Sequence, residues 1–152
     1  MVKLAKRTIL RVVYPIALIY WYIVKPKTER AKVILVHNKQ ILLVKQSFHR
    51  KQWTLPGGGI NVDEPPKEAA AREIKEELNL VNLDLKFLGL TDKKMDGRHD
   101  LLYIFQAEVT AKQIETIKVD GVEIIEARWF SWDNLPYLKP ANQAIIELYD
   151  RF

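Results

Sequence analysis

The sequence predicts an α/β fold: a mixed sheet, one helix midway and one near the end, and an N-terminal apolar helix. Three observations predict it. The 152 residues suit one domain of common size. Runs of β-branched and alternating apolar residues, bounded by turn signals, lie on both sides of a single stretch of helix formers. Apolar residues make up 48% of the chain and charged residues 28%, which allows a buried core and excludes disordered or low-complexity sequence. There are no cysteines, so disulfide scaffolds, thiolate metal sites, Fe–S clusters and cysteine nucleophiles are excluded.

Residues 12–24 form an uncharged run flanked by Lys3, Lys6, Arg7 and Arg11 before it and Lys25, Lys27 and Arg30 after it. A spanning helix needs about 17–25 apolar residues, so the run is too short to cross a membrane unless Arg11 snorkels. Tyr20, Trp21 and Tyr22 ahead of Lys25-Pro26-Lys27 make a poor signal-peptide cleavage site. The first expectation is a helix that packs on the domain or on a second copy, which makes a homodimer plausible. The alternative is a peripheral membrane contact through residues 8–24, with basic flanks meeting anionic lipid and Tyr/Trp at the headgroup level. Lys25-Pro26-Lys27-Thr28 reads as a linker, which divides the chain into a helical segment 1–27 and a domain 28–152. The cytoplasm is the default compartment.

Ala31 to His37 is β-branched and apolar, Asn38-Lys39 supplies a tight turn and Gln40 to Gln46 is apolar again, a hairpin. Pro56-Gly57-Gly58-Gly59 marks a loop. Asp63 and Glu64 with Pro65 and Pro66 offer capping acids and first-turn prolines for a helix from Lys67 to about Leu78, which Asn79 ends in the left-handed conformation. Leu83 to Leu90 and Leu101 to Val109 read as paired strands around an Asp96-Gly97 turn. Glu126 to Trp132 reads as a last strand, Asp133-Asn134-Leu135-Pro136 as a turn, and Ala141 to Tyr149 as a closing helix.

Charge is unevenly spread. Residues 1–51 hold 12 Lys/Arg against the single acid Glu29, a local +11, and residues 52–152 hold 12 against 18 Asp/Glu, a local −6. One part should attract phosphates or anionic lipid, the other cations. On the central helix Glu73, Glu76 and Glu77 are spaced to project from one face, with Ala70, Ile74 and Leu78 as an apolar stripe beside them. Like charges at these spacings destabilise a helix unless a cation neutralises them. Oxygen-only ligands favour Mg²⁺ or Mn²⁺. The carboxylates follow a glycine loop able to approach a ligand closely, and both follow the basic part of the chain. Metal, glycine loop and basic rim together suit a polyphosphate.

Gly58, Glu64, Arg72, Glu73, Ile74, Glu76, Glu77, Asn79 and Leu80 resemble the Nudix box, G-x5-E-x7-R-E-U-x-E-E-x-G-U with U aliphatic. Asn79 stands where the family has glycine; it tolerates positive φ, so the helix end should survive. Trp53-Thr54-Leu55-Pro56 before the glycines and the segment Glu123 to Phe130 also look like the family, so the resemblance covers about residues 31–150. It implies a Nudix-like α/β/α sandwich that cleaves a nucleoside diphosphate linked to another group. It also implies that Glu73, Glu76 and Glu77, with the Gly57 carbonyl, hold divalent ions, and that Arg72 orients a box glutamate, Glu64 or Glu73. The general base would be Glu76 or Glu73, or Glu123 on a late loop. Gly58 and Gly59 would meet the substrate; Arg50 and Lys51, with Lys93, Lys94, Arg98 and His99, could reach its phosphates. Trp53 and Trp129 are expected in the core.

ADP-ribose hydrolases of the family often show proline near Met95-Asp96, and its diadenosine polyphosphate hydrolases show tyrosine near Gly97. Neither is present, nor are the family's coenzyme A and NADH motifs, so the resemblance implies a nucleoside di- or triphosphate or a nucleoside diphosphate sugar. RNA 5′-end processing and a non-catalytic nucleotide sensor are the alternatives, with nucleic acid the lesser expectation as a partner.

Overall fold

The computed structural model describes residues 9, 13–16, 19–20, 27–49, 51–95, 98–138, 142–143 and 145–146. The first helical element of the N-terminal segment is seen at positions 9, 13–16 and 19–20. Among the described residues six strands follow: β1 (Lys27–His37), β2 (Gln40–Gln46), β3 (Trp53–Thr54), β4 (Lys86–Met95), β5 (Arg98–Glu108) and β6 (Ile124–Ser131). The central helix α1 is Pro66–Leu78, and a short helix α2 is Ala111–Ile114.

The hairpin between β1 and β2 turns through Asn38 and Lys39, both at positive φ (45° and 60°), the pairing of left-handed residues that matches strand twist. β2 meets β1 only beside that turn; it then runs antiparallel to β6, while β3 pairs with its far end. β1 lies parallel to β5, and β5 antiparallel to β4, so the sheet is mixed as predicted.

Alternation along β1 sends Ala31, Val33 and Leu35 to one face, where they pack with Ala69, Ala70, Ile74 and Leu78 of α1. Ile34 faces the other way, into a cluster with Leu55, Leu102, Leu138, Ile145 and Ile146. The sheet is therefore covered by α1 on one side and, on the other, by the helical residues 142–143 and 145–146 of the expected closing helix. Trp53 is buried edge-on to Phe130, and Trp129 is half-buried against the α1 side of the core.

Several boundaries differ from the sequence reading. The alternating Leu83 and Leu85 stay out of the sheet because Leu85 N–H turns back to the Leu83 carbonyl at 3.1 Å. β4 instead starts at Lys86 and runs to Met95, carried by backbone pairing with β5. β5 begins at Arg98 and β6 at Ile124, the latter admitted through an irregularity at Lys45/Gln46. Residues 133–136 are a turn only in part, since Trp132–Asn134 is a 3₁₀ turn. The acids before α1 do not cap it: Pro65 is the N-cap, with no side-chain bond. Asp96, Gly97 and Leu148 lie outside the described residues.

Candidate metal and pyrophosphate site

The loop from Leu55 to Asn61 lies along β1, held by Val33 N–H to the Pro56 carbonyl (3.1 Å), Ala31 N–H to Gly58 O (3.0 Å) and Ile60 N–H to Glu29 O (3.0 Å). One of its glycines is required, and a second leaves room for a carboxylate. Gly57 has φ +113°, which L side chains avoid, and a Cβ there would strike the Ala31 carbonyl. A Cβ on Gly58 would strike the Glu73 carboxylate. Gly59 has open space around it.

α1 brings its carboxylates up to this loop, but into three different surroundings. Glu77, 5% exposed, turns inward and accepts the Gly57 N–H at 2.8 Å. Burial pushes its pKa up to about 7; Lys32 and the Gly57 amide oppose that rise, and Glu123 and Glu73 add to it. Glu73 accepts from Arg72 Nη1 at 2.6 Å. Glu76 points outward with its side chain 62% exposed, 3.7 Å from Arg72. The expected shared face of three acids is thus divided: the Gly57 amide draws in Glu77 and Arg72 takes Glu73. Among the described residues no group of three acids or histidines is disposed as a ready-made metal cluster.

Arg72 binds Glu64 through two parallel bonds, Nε to Oε1 at 2.8 Å and Nη2 to Oε2 at 2.9 Å, and also donates to the Gly59 carbonyl at 2.9 Å. It therefore binds both Glu64 and Glu73, the two glutamates expected as its alternative partners. The ion pair holds the Glu64 carboxyl down at about 2, the Asn61 amide adding to it, and holds the guanidinium well above its usual range. At the C-terminus of α1, Asn79 adopts φ 59° and ψ 22° and donates its amide to the Lys75 carbonyl, the expected left-handed end.

Glu123 reaches the site from far along the chain. Asp120 accepts the amides of Val122, Glu123 and Ile124 at 2.7–2.9 Å and so shapes the loop before β6. Glu123 is an exposed residue, but partial desolvation of its carboxyl by the surrounding chain raises its pKa, and Glu73 is the second cause. Glu126 is not part of the group; Lys45 at 2.8 Å and Arg128 at 2.6 Å pair with it, and the Lys45 bond lowers its pKa.

Two basic residues were missed. Lys32 is 5% exposed, and its ammonium donates to the carbonyls of Leu55 (2.9 Å) and Gly57 (2.6 Å), close enough to Glu77 to oppose its protonation. The signal was a lysine inside an otherwise apolar strand. Arg30 lies close enough to Glu123 to lower its pKa, and lines a cleft of about 680 Å³ with Gly59, Asn61 and Glu64. Lys51 is exposed beyond β2; Arg50 and the side chains of Lys93, Lys94, Arg98 and His99 lie outside the described residues.

A family model described as the NUDIX domain matches residues 26–152. The chain belongs to the Nudix family. This Nudix chain is 35% identical over 127 residues to the human diphosphoinositol polyphosphate phosphohydrolase NUDT4B, covering 78% of this chain and 68% of that protein. It is 31% identical over 106 residues to the NAD-capped RNA hydrolase NudC of Photorhabdus laumondii, covering 69% of this chain and 39% of that protein. The chain therefore spans about two fifths of the bacterial relative's length. Among solved structures, the MutT Nudix hydrolase from Burkholderia pseudomallei superposes with a TM-score of 0.71 at 26% identity, over 80% of this chain and 96% of that one.

The chain accordingly belongs to a family of hydrolases that act on pyrophosphate bonds and typically use divalent metal ions. The donor set fits such ions. All the candidate ligands are hard oxygens, and the charges of Glu73 and Glu123 raise the pKa of Glu77 as that of Glu73 raises the pKa of Glu123, the repulsion a cation relieves. The Gly57 carbonyl has a second lone pair beyond the one that Lys32 takes.

Proposed function

We propose that this Nudix hydrolase is a Mg²⁺-dependent pyrophosphohydrolase acting on a nucleoside di- or triphosphate or a nucleoside diphosphate sugar, with residues 28–152 as its catalytic domain. The observation that carries this reading is the approach of Glu73, Glu77 and Glu123 to one another beside the Gly57–Gly58 loop. On this reading Glu73, Glu76, Glu77 and the Gly57 carbonyl hold Mg²⁺, or Mn²⁺ in its place. The bound ion supplies charge neutralisation at the diphosphate and a more acidic water.

The chain's own residues do the rest. Glu123 accepts the proton of the attacking water, since a carboxylate with a raised pKa is a better base near neutrality. The water oxygen bonds to phosphorus as the opposite bridging P–O bond breaks, and the leaving phosphate takes up the electron pair. Arg72 holds Glu73 in place from Glu64. Gly58 and Gly59 admit the phosphate chain close to the backbone, and Arg30, Arg50 and Lys51 draw it in. Glu73 and Glu76 are the alternative bases.

The test is release of phosphate or nucleoside monophosphate from nucleoside triphosphates, nucleoside diphosphate sugars, ADP-ribose, dinucleoside polyphosphates, a diphosphoinositol polyphosphate, and triphosphorylated and NAD-capped RNA, with Mg²⁺ and with EDTA. Turnover that EDTA abolishes, best on a free nucleotide, is the expected result; best turnover on RNA would favour 5′-end processing, the reading suggested by the NudC relative. No turnover on any member would favour a nucleotide sensor. Glu77→Gln is expected to lower kcat by about 100-fold or more with the fold intact, and near-normal turnover would sink the metal assignment. Loss of the acidic limb of the pH–rate profile, where the rate rises as the base gives up its proton, in Glu123→Gln but not in Glu76→Gln would identify the base.

A further inference from the structure

We propose that the N-terminal helix docks on an anionic phospholipid surface through an outward stripe formed by Ile9, Val13, Ile16 and Tyr20. These positions are spaced four, three and four apart, which at helical pitch places them within about 60° of one another. They are 50–63% exposed, and Ile19 beside them is 62% exposed. Tyr14 lies on the opposite side of the same helix. Its ring stacks on Phe48 at 4.6 Å and its hydroxyl is 2.7 Å from His49 Nε2, so the helix is seated on the loop after β2 by that side. The seat fixes which face is left over, and that face is aliphatic with a tyrosine at one end.

Charge selects the occupant. The uncharged run 12–24 is bracketed by Lys3, Lys6, Arg7 and Arg11 and by Lys25 and Lys27, and residues 1–27 hold these six cations and no acid. Pairing this face with a second copy would bring two such regions together, whereas an anionic headgroup layer neutralises them. No helix among the described residues is long and apolar enough to cross a membrane, so the segment would lie in the interface plane.

The test is co-sedimentation of the full chain with vesicles of phosphatidylcholine alone and of phosphatidylcholine mixed with phosphatidylglycerol. Binding to the anionic vesicles is expected to be at least about tenfold tighter and to fall as salt rises. The double variant Val13→Glu/Ile16→Glu should lose that binding by at least about tenfold while keeping its melting temperature and hydrolase activity. The idea is overturned if the wild-type chain stays unbound, binds both vesicles equally, or binds undiminished in the variant. It is equally overturned if light scattering finds a dimer that the variant splits, because a second copy then covers the stripe. Should the variant fail to fold, the wild-type comparison between vesicle types decides the matter alone.

Discussion

At position 32 a lysine stands in a strand whose neighbours, Ala31, Val33, Ile34 and Leu35, are all buried and apolar. Its ammonium is satisfied by two carbonyls and offsets the charge of Glu77, so its removal leaves a buried carboxylate uncompensated. Lys32→Met is expected to destabilise the metal-free protein by about 3 kcal/mol at pH 8, read by urea unfolding, and by less at pH 5.5, where Glu77 can take up a proton. Glu77 itself sets a pH dependence of definite sign. Its pKa is raised from 4.5 to about 7, so the folded protein binds a proton in that window that the unfolded chain releases. That contribution to stability is present below about 4.5 and is lost as pH rises through 7. Glu64 acts in the opposite sense: its pKa is lowered to about 2, and its contribution is lost as pH falls from 4.5 towards 2. Melting temperature in EDTA should therefore peak near pH 4.5–5 and fall towards pH 8, and a flat or rising upper limb would contradict the buried state of Glu77. Glu73, Glu76, Glu77 and Arg72 were legible because their spacing is a local signal. Lys32, Arg30 and Asp120 were not, because their roles arise only when β1, the loop before β6 and the glycine loop meet in space.

The helix α1 was legible to within a residue, since its composition, its prolines and its left-handed Asn79 all act within a few positions. Asn79→Ala should cost about 1 kcal/mol by placing a Cβ residue without Asn's tolerance at φ 59°, whereas Asn79→Gly should be near neutral; equal losses in both variants would show that the bond from Asn79 Nδ2 to the Thr116 carbonyl carries the effect instead. Ile74→Ala, at 0% exposure between α1 and β1, should cost about 2–5 kcal/mol by chemical denaturation. Strand limits were less legible. Leu83 to Leu85 alternate like a strand, yet a local turn removes them from the ladder. Lys93 and Lys94 lack strand propensity, yet β5 carries them into it, because backbone pairing ignores side-chain chemistry. β3 and α2, two and four residues long, are too short for any periodicity to reveal.

Across the whole molecule, the basic N-terminal third and the acidic remainder meet at the cleft, where Arg30 faces the Glu64 end of the box. Anionic substrates should be drawn in by this field, so kcat/KM is expected to fall with rising ionic strength while kcat changes little; a parallel fall in both would point to an effect on chemistry instead. The fold class itself was legible from the order of elements, but the neighbour relations were not: nothing local says that β1 lies beside β5. That pairing has a consequence for how the molecule comes into being. Lys27 is in register with His99 and Val36 with Glu108, so the strand that carries Lys32 gains its parallel partner only once residues 99–108 have been synthesised. Closing so long a loop is entropically costly and slow, and the parallel ladder must await it. On an elongating ribosome the glutamate helix would emerge and sample its turns well before the sheet that aligns it exists, so catalytic competence arrives late and all together.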